Sequence, residues 1–140
     1  MKISAQVDNS QGQHHVTLIT NDKSHSIDIS PKSTGFGSSA NGGELLFLAL
    51  ATCYCNDIYR EAGKRNLAIE RVEVEVTGEF GAEGEPTQSV TYRARVHSPG
   101  NDNDKDILEL MDYTDTVAEI QNTLRAGASV KLTNIEVINT

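Results

Sequence analysis

Residues 45–55 read Leu-Leu-Phe-Leu-Ala-Leu-Ala-Thr-Cys-Tyr-Cys, and wound into a helix they are apolar on every side. Residues 56–62 turn amphipathic, and Gly63 stands where the helix is expected to stop. A helix that is hydrophobic all round has to be covered all round, and about 20 residues give roughly 30 Å of it. That is long for a chain of 140 residues, which is one domain's worth of protein, residues 1–140, with a single core or half of a core shared with a copy of itself. One three-stranded sheet cannot cover such a helix, so a second sheet or a second copy is expected. The apolar run is far below the roughly 20 residues of a membrane-spanning helix, so no membrane partner is expected.

The flanking patterns are those of strands. Alternation over residues 2–7, 15–20 and 26–30, with polar turn clusters at 8–13 and 21–24, predicts a three-stranded antiparallel meander. Residues 31–43 are rich in Ser, Gly and Thr and are expected to form a loop without helix or strand. Beyond the long helix, residues 69–80 place Val72, Val74 and Val76 on one face and Glu73 and Glu75 on the other. This period of two predicts a strand with one wet side, paired through a tip at 81–88 with a second strand at 89–96. Residues 101–104 offer a cap for a helix through Ile107 and Met111; a short helix is expected at 116–124, ended by Gly127, and a closing strand at 130–138. The order is that of an α+β fold rather than of alternating βα units.

Charge and composition narrow the partners. Twelve Lys and Arg stand against 20 Asp and Glu, a formal net charge of −8 with no basic cluster, so the electrostatic footprint for nucleic acid or anionic lipid is lacking. With three Phe, four Tyr and no Trp, the core is expected to be aliphatic. The first residues carry neither a basic start with an apolar run nor a small-residue cleavage site. Two cysteines, Cys53 and Cys55, cannot build a disulfide framework, and a reducing, cytoplasmic location is expected.

The two cysteines are the first candidates for chemistry. Two positions apart on a helix point about 200° from each other, so Cys53 and Cys55 form no local disulfide and clamp no common metal. A buried thiol is commonly inert packing. Cys53 shares a stripe with Asp57 and Arg60; the carboxylate raises its pKa and the guanidinium lowers it, which leaves no evident local activation. The four histidines lack the spacing of a zinc set and read as surface residues, so no metal and no cofactor is expected. Gly42 and Gly43 precede the helix, but Glu44 in its first turn would repel a phosphate.

Residues 38–53, Ser-Ser-Ala-Asn-Gly-Gly-Glu-Leu-Leu-Phe-Leu-Ala-Leu-Ala-Thr-Cys, resemble the segment of the OsmC/Ohr family in which N/S-P-x-E-L-L opens a long helix and a cysteine follows about nine residues after the Glu. Residues 120–127, Ile-Gln-Asn-Thr-Leu-Arg-Ala-Gly, are similar to that family's C-P-V/I-S-x-x-L-x-x-G turn and helix. The resemblance implies an OsmC-like fold, with antiparallel sheets wrapped around the long helix in an intertwined homodimer. In peroxidase members of the family a cysteine at the place of Cys53 attacks an organic hydroperoxide and the sulfenic acid is resolved by a second cysteine, while a Glu and an N-terminal Arg orient the thiolate.

Here the second cysteine's place falls at Ala118 and the following Pro's at Glu119; the assisting Glu aligns with Gly43, Glu44 matches the neighbouring acidic position, and no arginine precedes Arg60. A two-cysteine cycle is therefore not expected. Three readings stay open: a stress-related redox protein reducing organic hydroperoxides through Cys53 alone, with Glu44 and Cys55 as weaker site candidates; a non-catalytic dimer holding a small hydrophobic or oxidised molecule in an apolar interface pocket; and a structural remnant whose cysteines are core.

Overall fold

Alternating residues at the start of the chain pair in the antiparallel order the sequence predicts, but the third strand lies at Lys23–Ile27 instead of 26–30, because the turn before it takes only Asn21 and Asp22. In this computed structural model, which describes residues 1–100 and 104–140, β1 (Ile3–Ser10), β2 (Gln13–Thr20) and β3 (Lys23–Ile27) form an antiparallel sheet in the order β1-β2-β3. Val7 faces Val16, and Val16 faces Ile27 across the next pair. Asn21 and Asp22 both take left-handed φ values, 48° and 64°, which is what a two-residue hairpin turn of matching twist requires. β1 runs three residues past its expected end at Val7, because the tight turn at Gly12, φ 74°, needs fewer residues than the polar cluster offered. The following loop holds no strand or helix, only an isolated bridge between Pro31 and Ser38.

The chain divides into two compact units, residues 1–46 and 47–140. In the first, Asn41 and Glu44 open α1 (Gly42–Lys64) with a reciprocal capping box. The Asn41 N–H donates to Glu44 Oε1 at 3.0 Å, and the Glu44 N–H donates to Asn41 Oδ1 at 2.8 Å.

In the second unit α1 packs on a hairpin of β4 (Arg71–Phe80) and β5 (Thr87–His97), with α2 (Asp104–Val117) and α3 (Glu119–Arg125) completing it. Tyr54, Ile58, Ala62 and Leu110 are the buried centre, and Val72, Val74, Tyr92, Ala94 and Val96 from the inner sheet face pack against them. The alternation read in residues 72–76 thus points as expected. The strand pairing slips between Thr77 and Glu79 at Gly78, where an added Cβ would stand 2.8 Å from the Phe47 ring; only glycine lets that ring come so near the strand.

Four expectations are corrected. α1 does not stop at Gly63. It ends in a Schellman turn whose left-handed residue is Asn66, φ 55°, with Leu67 N–H donating to Ala62 O and Asn66 N–H to Gly63 O. Nor is α1 buried all round: Leu50, Tyr54, Asp57, Ile58, Glu61 and Ala62 are buried, but Leu48 is 58% exposed, because one chain covers one side only. α2 continues to Val117, so the second helix begins only at Glu119. Residues 128–140 form no strand and pair with none of the described strands, and Val130 and Val137 stay 96% and 88% exposed. The cap expected at residues 101–103 lies outside the described residues. No helix among those described is long and apolar enough to cross a membrane.

Candidate functional site

The stripe of α1 that carries Cys53 also carries Asp57 one turn later and Arg60 beyond it, so neighbouring side chains on one helix face meet by geometry alone. The Cys53 thiol donates to Asp57 Oδ2 at 3.6 Å. A third group arrives from 66 residues further along the chain: Glu119 Oε2 lies 3.8 Å from the same sulfur. α2 and α3 deliver it. The fully buried Ala118 is extended, φ −72° and ψ 108°, which turns the chain between the two helices.

Side-chain hydrogen bonds fix that turn. Gln121, 4% exposed, donates from Nε2 to the Leu50 carbonyl at 3.0 Å and so ties α3 to α1. Arg125 grips Asp115 through its carboxylate at 2.6 Å and its carbonyl at 3.0 Å, and the Tyr92 hydroxyl donates to that carboxylate from β5. Burial pushes the Tyr54 hydroxyl up to about 12, and it donates to the Met111 carbonyl at 2.9 Å. These are frame contacts. Among the described residues, Gln121 Oε1 is left without a partner.

Arg60 divides the two carboxylates. Its Nη1 is 2.8 Å from Asp57 Oδ1 and 3.4 Å from Glu119 Oε1, so each acid turns one oxygen to the guanidinium and the other to the sulfur. Arg60 Nε also reaches Glu61 Oε1 at 2.9 Å, which Lys64 shares. Burial pushes the Cys53 thiol up; the Ile120 backbone N–H opposes this, and the negative charges of Asp57 and Glu119 add to it. The Asp57 carboxyl is likewise raised, first by burial and then by Glu119, against the pull of Arg60. Glu119 is held low by its own backbone N–H, then by its hydrogen bond with Asp57 and by Arg60. Cys53 is therefore a protonated thiol at neutral pH, beside an anchored carboxyl group.

Of the residues singled out in the sequence, Cys53 lies at the centre of this cluster. Glu44 spends its carboxylate on the helix cap and Cys55 is half-buried two residues on; neither belongs to the group around the sulfur. Asp57 and Arg60 were legible on the helix stripe, but there the carboxylate and the guanidinium oppose each other and leave the direction of the thiol's shift open; burial decides it. Glu119 was not legible, since only the folded turn at Ala118 brings it near. The Cys53 sulfur and one oxygen each of Asp57 and Glu119 lie within 4.8 Å of one another.

Residues 35–133 match the family model described as OsmC-like protein. The chain belongs to the OsmC-like family. The OsmC-like fold is seen in solved structures as well. An OsmC-like protein from Mycoplasma pneumoniae superposes with a TM-score of 0.59 at 20% identity over 89% of both chains. An OsmC-like hydroperoxide resistance protein from Jannaschia sp. CCS1 gives 0.55 at 15% identity, over 99% of this chain and 92% of that one. A putative organic hydroperoxide resistance protein from Vibrio cholerae, with captopril bound in one of its active sites, gives 0.51 at 19%, over 87% and 85%. No curated protein sequence matches. Glu119 and Ile120, the two residues after Ala118, face the Cys53 sulfur.

Proposed function

We propose that this OsmC-like chain is a stress-related redox protein that reduces organic hydroperoxides through Cys53 alone, its sulfenic acid being returned to thiol by an external small thiol. The observation that carries the reading is the setting of Cys53: it follows the helix-opening Glu44 by nine residues on α1, and its half-buried sulfur sits among Asp57, Glu119 and the cation of Arg60. The names of related hydroperoxide resistance proteins support the substrate class. With Ala118 and Glu119 where a resolving Cys-Pro pair would stand, and Cys55 on another face of α1, the electrons that reduce the sulfenic acid come from outside the chain.

The working form is a homodimer in the cytoplasm. Two features favour a second copy: the open side of α1 around Leu48 and the unpaired apolar residues 130–138. A binding role without chemistry is the second reading, and the protonated state of the thiol favours it, as does the captopril seated in an active site of the Vibrio cholerae protein.

Trapping separates the two. Treated with cumene hydroperoxide and dimedone, the protein is expected to gain one adduct at Cys53 by mass spectrometry. Cys53→Ser abolishes the adduct and Cys55→Ser retains it. Intact thiol at Cys53 after this treatment would leave the binding reading in its place.

A further inference from the structure

A thiol that keeps its proton at neutral pH needs a group to take that proton when sulfur attacks, and a leaving alkoxide needs one supplied. We infer that Asp57 performs both tasks, carrying the Cys53 proton to the oxygen that departs; this rests on the hydroperoxide reading above. The Sγ of Cys53 attacks the distal peroxide oxygen, an S–O bond forms and the O–O bond breaks. Sulfur is oxidised from thiol to sulfenic acid while the hydroperoxide is reduced to an alcohol. The thiol proton passes to Asp57 Oδ2 and from there to the alkoxide, so the step consumes and releases no other proton.

The geometry selects Asp57 over its neighbour. Arg60 holds Oδ1 at 2.8 Å, which fixes the carboxyl group and leaves Oδ2 facing the sulfur at 3.6 Å. The Asp57 side chain is only 7% exposed, so a proton on Oδ2 is kept from bulk water, whereas the Glu119 side chain, 62% exposed, loses its proton to solvent. The charged and titratable groups that face Asp57 are Cys53 and Arg60 on α1 and Glu119 on α3. Burial moves the Asp57 carboxyl upward from the ordinary range, nearer the pH at which a shuttle works best.

Two reactions of the same sulfur tell a proton carrier from a mere negative charge. Alkylation by iodoacetamide follows the thiolate fraction, and its leaving iodide needs no proton; oxidation by cumene hydroperoxide needs one. In Asp57→Asn a charge that holds the thiol protonated is gone, so alkylation at pH 7 is expected to be faster, while sulfenic acid formation slows at least tenfold, the lower side of what a positioned acid or base contributes (about 10²–10⁴-fold). The unaltered protein gives an independent reading should that variant fold poorly. Its oxidation rate falls as pH passes the midpoint of the alkylation profile, where the shared proton is lost, while alkylation reaches its plateau. Oxidation and alkylation that rise together in Asp57→Asn, or in the pH profile of the unaltered protein, would overturn the role of Asp57 alone. An unaltered protein that forms no sulfenic acid would overturn the hydroperoxide reading and this step with it.

Discussion

Around the Cys53 sulfur burial, with the charges of Asp57 and Glu119 added to it, outweighs the Ile120 backbone N–H, and the sign of the resulting shift makes direct predictions. Because the thiol is raised, the reactive thiolate is a minor species at neutral pH. Alkylation of Cys53 is therefore expected to accelerate about tenfold per pH unit between pH 6 and 8, read by mass spectrometry. Glu119→Gln removes a negative charge 3.8 Å from the sulfur and is expected to speed alkylation at pH 7 severalfold. Arg60 acts in the other direction. Arg60→Met strands the buried Asp57 carboxylate, and a loss of about 1–3 kcal/mol is expected in urea unfolding at pH 7. That loss is smaller at low pH: a carboxyl raised on folding takes its proton readily as pH falls, and the protonated form does not need the guanidinium.

At the scale of elements, what the sequence tells and what it hides divide along local and non-local lines. Val72, Val74 and Val76 declare the inner face of β4 by their spacing, whereas residues 45–55 of α1, apolar on every side, do not say which of them the chain will cover. Asn66 shows why helix ends are harder. Gly63 is the stronger stop signal by composition, yet Asn66 takes the left-handed position that the turn into Leu67 demands. Asn tolerates that backbone and alanine does not, so Asn66→Ala is expected to cost about 1 kcal/mol in urea unfolding, with Asn66→Gly close to neutral. The candidate site follows the same division. Cys53, Asp57 and Arg60 share a helix stripe that can be read by counting, whereas Glu119 joins them only because the buried Ala118 turns α2 into α3, and no local pattern marks that turn.

At the scale of the whole molecule, the all-round apolar segment of α1 remains the feature that asks for more than one chain supplies. Leu48 lies open on the helix, and the alternating residues 130–138, which read as a strand, pair with none of the described strands. A strand pattern specifies a strand but not whose sheet completes it, so this part of the fold was legible as a need rather than as a contact. Sedimentation equilibrium is expected to give twice the chain mass of 15.2 kDa, and removal of residues 129–140 to weaken that association. A redox centre at Cys53 shows itself in turnover: cumene hydroperoxide consumption with excess dithiothreitol, compared between the unaltered protein and Cys53→Ser. The expected result is catalytic consumption by the former and only the background rate with the latter. Equal rates for the two proteins, or no rate above buffer for either, would contradict a redox centre at Cys53.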